Sequence, residues 1–364
     1  MFFLGAASNY KARDILRHTF AVGFSRDAKK LETEIAHHYG ATSDHVALTS
    51  SGRAALALAL RSSIPRGSKV VLNGFTCYAV VEAIRAAGCI PIFADVDEHT
   101  LNYSATTLQN LLSNNPDIKA FIIQNSLGHP IDITPFESIR NKHHLIMIED
   151  LAHSAGTFYP DGREVGTVGD ASALSFGKGK TIDTITGGAV ILRNPTLPAV
   201  KKPTKRQPLS TTLRARFYPF FGACIRASYH LHLEKLVTGG FFALHFIERS
   251  ADLHLDLTTR PTYWQSRLAL PQLTHLKKSP IREYTFVKNR EQVLKKLKSH
   301  GFILHEIWYE VPVAPARYYN KLHLKESDLP HSTEVANTII NIPTWYNKSD
   351  ITLAKKIIKD AENE

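Results

Sequence analysis

The sequence predicts an α/β protein: a large domain built on a mainly parallel sheet flanked by helices, then a small α+β domain at the C-terminal end. Three observations carry this expectation. Residues 30–195 alternate between helix-forming and β-rich runs, as βαβ units do. The β-rich runs end in polar residues, where open α/β sheets bind their ligands. From about Tyr263 the pattern shifts to two helices, a strand and a closing helix. The expected boundaries are 1–250 for the large domain and 263–364 for the small one, with 196–262 as a divergent connecting region.

The elements follow in order. "AALALALRSS" has helix-forming composition, while "KVVLNG" and "IPIFADV" are short β-rich runs. "TLQNLLSNN" reads as a helix, and "IKAFIIQN" and "HLIMIED" as apolar strands of a sheet buried on both faces. The strand ends carry Asn73 and Asp95, Gln124 and Asn125, and Glu149 and Asp150. "QSRLALPQLTHL" and "VKNREQVLKKLKSHG" read as helices, the second stopped by Gly301. "IINIPTW" reads as a strand, and "KSDITLAKKIIKDA" as a helix with Ser349 or Asp350 as N-cap.

The chain has 364 residues, of which 43% are hydrophobic, enough for a sizeable core. No run of 18 apolar residues suggests a transmembrane helix. Met1–Asp14 lacks the basic start of a signal peptide. Cys77, Cys89 and Cys224 have neither metal spacing nor a disulfide framework, so the expectation is no metal and a reducing cytoplasm. The net charge of +11 suits acidic partners such as nucleotide diphosphates. Between Lys201 and Arg226 every charged residue is basic, but no aromatic–basic platform accompanies them, so nucleic-acid binding is not expected. The apolar stretch that follows, to Phe246, reads as packing on the body or on a second subunit. Peripheral membrane contact through 201–246 is the alternative.

The chemistry centres on "SFGKGKTIDTITGGAV", residues 175–190. A phosphate-binding P-loop would need glycine where this chain has Leu174, so Gly179-Lys180-Thr181 is not one. A lysine doing covalent chemistry on pyridoxal 5'-phosphate fits better. That cofactor needs an amine, a carboxylate against its ring nitrogen, and phosphate donors at a helix start. "TSSGRAALALAL" supplies Ser51, Gly52, Arg53 and Ala54 at a helix start. "IMIEDLAHSAG" supplies Asp150 and His153, and Ser175 lies five residues before Lys180. Alone, each has an ordinary structural reading: a cap, a solvated acid, a packed histidine. Their ordered combination carries the weight.

These segments, with "NGFTCYAVVEAI", "PIFADVDEHTLN", "IIQNSLGHPID", "VGTVGDASALSFGKGK" and "NIPTW", resemble the DegT/DnrJ/EryC/StrS sugar aminotransferases. The resemblance is strong over residues 25–195 and looser over 263–360. It implies the aspartate aminotransferase fold (pyridoxal phosphate fold type I), with a seven-stranded type of sheet. It implies that Lys180 forms the internal aldimine, that Asp150 faces the pyridine nitrogen and that His153 lies near the 3-hydroxyl. Gly52, Arg53, Ala54 and Ser175 would hold the phosphate, and Lys178 falls where the family varies. Cys77 stands where relatives often place an aromatic ring cover, so Phe75 or Tyr78 are alternatives. Asn125 replaces the family's loop histidine, and Thr186 an acidic residue before the glycine pair.

The implied activity moves an amino group from an amino acid, glutamate or glutamine, to a keto-sugar nucleotide, in a homodimer with shared active sites. Two other readings remain. One is a sugar dehydratase or lyase of the same fold, whose members generally carry histidine at the lysine position. The other is a non-catalytic cofactor-binding regulator.

Overall fold

The computed structural model describes residues 2–3, 10–97, 100–229, 231–248, 254–304, 308–345 and 347–363. Its centre is a seven-stranded sheet of β1 (Val46–Thr49), β2 (Lys69–Asn73), β3 (Ile90–Ala94), β4 (Ile118–Ile123), β5 (Ile146–Asp150), β6 (Ala171–Ser175) and β7 (Gly188–Leu192). The spatial order is β1-β7-β6-β5-β4-β2-β3. β7 runs antiparallel to both of its neighbours, and every other pairing is parallel.

Side-chain alternation explains why these strands read as continuous apolar runs. Phe121, Met147, Leu174 and Ile191 enter the core on one face, with Leu31 and Ile35. Ile122, Ile148, Ala173 and Val190 enter the core on the other, with Leu56 and Leu60. Both faces are covered, so alternating polarity never develops.

Helices α1 (Ala12–Phe20), α2 (Ser25–Tyr39), α3 (Gly52–Ser63), α4 (Tyr78–Ala86), α5 (Ala105–Asn114) and α6 (Thr134–His143) belong to this body. α3 is buried continuously from Ala54 to Leu60, which its alanine–leucine repeat permits. α7 (Leu209–Tyr229) packs against α1: Arg216 donates to Thr19 O and Ala21 O, and Arg226 to Tyr10 O. α8 (Glu234–Ala243) lies on α7 with none of its side chains buried. No helix among the described residues is long and apolar enough to cross a membrane.

α9 (Tyr263–Leu273) places Ala269, Leu270 and Leu273 in the large core beside Leu31 and Ile35. The boundary expected at residue 263 therefore falls one helix too early. The C-terminal unit has its own antiparallel pair, β8 (Arg282–Phe286) and β9 (Ile339–Pro343). Alongside are α10 (Arg290–Ser299), α11 (Ala316–Tyr319), α12 (Pro330–Thr338) and α13 (Lys348–Glu362). Val293, Leu297, Ile340, Ile342, Ile357 and Ile358 form its core. Phe2–Phe3 pairs with Phe302–Ile303, so the chain's start joins this unit. The N-cap of α13 is Asn347 rather than Ser349 or Asp350, both of which are already helical.

Candidate active site

The carboxyl ends of β5 and β6 and the start of α3 converge. Ser51 caps α3, its Oγ accepting from Ala54 N at 3.2 Å. Gly52 is required by contact: a Cβ there would lie 2.6 Å from Ser175 Cβ and 2.8 Å from Ser175 Oγ. The first residue of a helix thus sits directly against the Ser175 hydroxyl, an arrangement suited to an anion. The Arg53 side chain donates from Nη1 to Glu82 at 2.5 Å.

After β6 the chain turns sharply, with Lys180 N donating to Gly177 O at 3.2 Å. Asp183 braces this loop by accepting from Gly179 N (2.9 Å), Ile185 N (2.9 Å) and Tyr10 Oη (2.8 Å). The two lysines then part. Lys178 Nζ lies 4.2 Å from the centre of the Tyr218 ring on α7 and donates to Glu248 O. Lys180 points inward, and desolvation brings its ammonium down to about 8, against the fields of Cys77, Asp150 and Asp183.

Glu149 and Asp150 are neighbours on β5 and so face opposite ways. Glu149, fully buried, accepts from Tyr159 Oη, Gly166 N, Val168 N and Gly169 N and pins the 151–170 loop. Asp150 is 9% exposed, and its Oδ1 accepts from Ala152 N at 3.0 Å. Burial raises its pKa, while the Ala152 amide and the Lys180 charge pull it back.

His153 accepts from Leu127 N on Nδ1 at 3.1 Å, so Nε2 carries the hydrogen and donates to Tyr309 Oη at 3.3 Å. Burial and the charges of Lys180 and Arg282 hold its pKa well below the usual histidine value, and the ring is neutral. Gly128 makes this packing possible. Its φ is +90°, and a Cβ would meet His153 O at 2.7 Å and Ile281 N at 2.9 Å.

Cys77 joins the group: its thiol feels Lys180, Arg53 and Asp150, and burial pushes its pKa up. The alternative ring covers make aromatic contacts with the C-terminal unit. Tyr78 stacks on Tyr318 of the C-terminal unit (4.5 Å, 8°), and Phe75 is buried edge-on to Tyr309. Of the other strand-end residues, Asp95 caps α12 by accepting from His331 N and Ser332 N. Asn73 and Asn125 brace loops.

Three residues of the C-terminal unit enter the site without having been expected: Arg282, Trp308 and Tyr309. Lys180 Nζ is 4.3 Å from the Trp308 ring centre, and the Arg282 guanidinium carbon is 4.0 Å from it. They come from β8 and an irregular segment, where no hydrophobic period marks them.

The fold and this set of groups define a class: the fold type I enzymes whose cofactor is pyridoxal phosphate. The site fits that group on its own geometry, pairing an amine with a buried carboxylate and a helix-start cradle that a single Cβ would fill. The chain belongs to the DegT/DnrJ/EryC1/StrS aminotransferase family, whose profile matches residues 4–210, more than half of its length. It is 25% identical over 331 residues to the GDP-perosamine synthase of Caulobacter vibrioides, covering 86% of this chain and 84% of that one. The Escherichia coli O157:H7 protein of the same name is 37% identical over 149 residues, 41% of this chain and 40% of that one. The fold is also that of a DegT DnrJ EryC1 StrS aminotransferase from Brucella abortus: TM-score 0.68, 17% identity, covering 97% and 94% of the two chains.

Proposed function

We propose that this aminotransferase takes the amino group of glutamate or glutamine and delivers it to a keto-sugar carried on a nucleotide diphosphate. The observation that carries the assignment is the inward Lys180 amine beside the buried Asp150 carboxylate, at the mouth of the cradle formed by α3 and Ser175. Gly52, Arg53, Ala54 and Ser175 would hold the cofactor phosphate, largely by backbone N–H groups. Asp150 would keep its ring nitrogen protonated, with His153 and Cys77 beside the ring. When bound, the cofactor supplies an electron sink for the charge left by a departing α-proton.

The chain's own groups do the rest. Lys180 Nζ would take the α-proton of the donor and pass that same proton to the carbon that receives the amino group. Its lowered pKa lets the neutral amine do so near physiological pH. Neutral His153 adds no charge beside it. The names of relatives such as GDP-perosamine synthase support a nucleotide-linked sugar as acceptor, as does the chain's net charge of +11. Lys180 at the covalent position weighs against the dehydratase alternative.

The working unit of this reading is a cytoplasmic homodimer. A groove of about 920 Å3, lined by Leu16, Phe20, Val22, Leu268 and Pro271 among others, presents apolar surface that a second copy would cover. The three free cysteines suit a reducing compartment.

Lys180→Ala tests the assignment. We expect loss of both the visible band of the lysine-linked cofactor and turnover. Retention of either sinks it. In the wild type, glutamate or glutamine should convert that band to the band of the aminated cofactor; persistence with every donor would favour a binding-only regulator.

A further inference from the structure

We propose that Trp308 is a positioning residue for the reaction, its indole serving as the resting station of the Lys180 ammonium whenever that amine is not bonded to the cofactor. The inference rests on the assignment of Lys180 above and goes beyond it, to what holds the freed amine and from which part of the chain.

Three groups meet at one indole. Lys180 Nζ stands 4.3 Å from the ring centre and the Arg282 guanidinium carbon 4.0 Å, both within cation–π range. The His153 imidazole stacks on the same ring at 5.1 Å and 19°. The backbone that carries the indole is itself held. Trp308 N donates to Asn341 Oδ1 at 3.4 Å, and Asn341 Nδ2 donates back to Trp308 O. Arg282 Nη1 donates to the same Asn341 Oδ1 at 2.8 Å. Asn341 is fully buried on β9, so the sheet of the C-terminal unit locks both Trp308 and Arg282 in place.

The need for such a station follows from the lysine side chain. A lysine side chain has many rotamers, and an amine not held at its end would sample many poses. Proton transfer requires it within hydrogen-bond reach of the donor's α-carbon proton. An aromatic face attracts the ammonium without a fixed acceptor that would hold its proton. The charged and titratable groups around Lys180 are Cys77, Asp150 and Asp183 from the large domain, and Arg282 from β8. His153, neutral, shares the ring. Trp308 adds an attraction that carries no titrating group of its own. Removing it takes away stabilisation of the ammonium and leaves the repulsion from Arg282, so the Lys180 titration moves down.

Two measurements on the full-length chain test this. In the cofactor-free protein, tryptophan emission should show a pH midpoint near that of Lys180, and Lys180→Met should abolish it; a midpoint that survives Lys180→Met overturns the proposal. In the cofactor-loaded protein, Trp308→Leu should keep the visible cofactor band but slow the donor half-reaction about tenfold, with donor KM within about twofold. The acid limb of its pH profile should fall by roughly half to one pH unit, and Trp308→Phe should recover most of the rate. A Leu variant with an unchanged rate, an unmoved limb, or a loss that Phe does not rescue overturns the proposal. None of these results touches the Lys180 assignment, which stands or falls with the Lys180→Ala spectrum.

Discussion

Lys178 and Lys180 sit two residues apart on one loop and do different things. The family resemblance proposed Lys180 for the site, five residues after Ser175, and the structure sends the two lysines apart. Tyr218 and Glu248 O engage Lys178, while the turn closed by Lys180 N and Gly177 O sends Lys180 inward. Asp150 and Glu149 divide in the same way, because adjacent strand residues face opposite sides. Composition could not say which of the two carboxylates serves the site. The hydrogen bonds of Glu149 to the 166–169 backbone commit that carboxylate to the loop. Lys180 also gives a pH prediction. Its folded pKa is about 8 and its unfolded value is about 10.4, so the unfolded chain binds the extra proton between these limits. The burial cost is therefore full below pH 8 and relieved as the pH rises toward 10. Lys180→Met should raise the Tm of the cofactor-free protein at pH 7 by roughly 2 °C, with a smaller gain at pH 10. Thermal unfolding at the two pH values checks this, and an equal gain at both would contradict it.

At the scale of elements, the β1–α3 turn shows how a local motif acquires meaning. Ser51-Gly52 reads as a helix start in sequence, and it is one. What the sequence does not show is that β6 arrives against it, leaving no room for a Cβ at residue 52. Gly52→Ala should cost about 1–3 kcal/mol, as overpacking does, and weaken cofactor affinity at least tenfold. A thermal scan and a cofactor titration measure the two effects; a variant that binds the cofactor normally would show the cradle is not at this turn. The long periodic elements were legible because burial on one or both faces leaves a pattern. The C-terminal contributors Arg282, Trp308 and Tyr309 were not, since irregular and short segments carry no period. The α13 cap was misplaced because Asn347, Ser349 and Asp350 are all capping residues, and helix geometry alone selected Asn347.

For the whole molecule, α1 and the segment after it leave Leu16, Phe20, Val22 and Phe24 exposed, with Phe20 at 71%. Isolated apolar residues on a surface need no explanation, but a run of them beside a groove does. In the proposed homodimer, Phe20→Glu should separate the two copies and reduce turnover at least tenfold, because it takes a large exposed apolar side chain out of the contact and puts a charge that must be desolvated in its place. Sedimentation equilibrium checks the state, and an unchanged dimer would place the interface elsewhere. The reading of α9 shows the same dependence on scale: its sequence looks equally suited to either unit, and packing against α2 assigned it to the large one. By itself the sequence determined the βαβ body, because periodicity is a local property of the chain, and its family resemblance proposed Lys180 and Asp150 for the site. Only the tertiary structure decided where Glu149 and Lys178 go, and that the far end of the chain closes the site with Trp308, Tyr309 and Arg282. The contacts of Lys180 and His153 with that far end join residues more than a hundred positions apart, and no local pattern encodes a meeting that packing alone brings about.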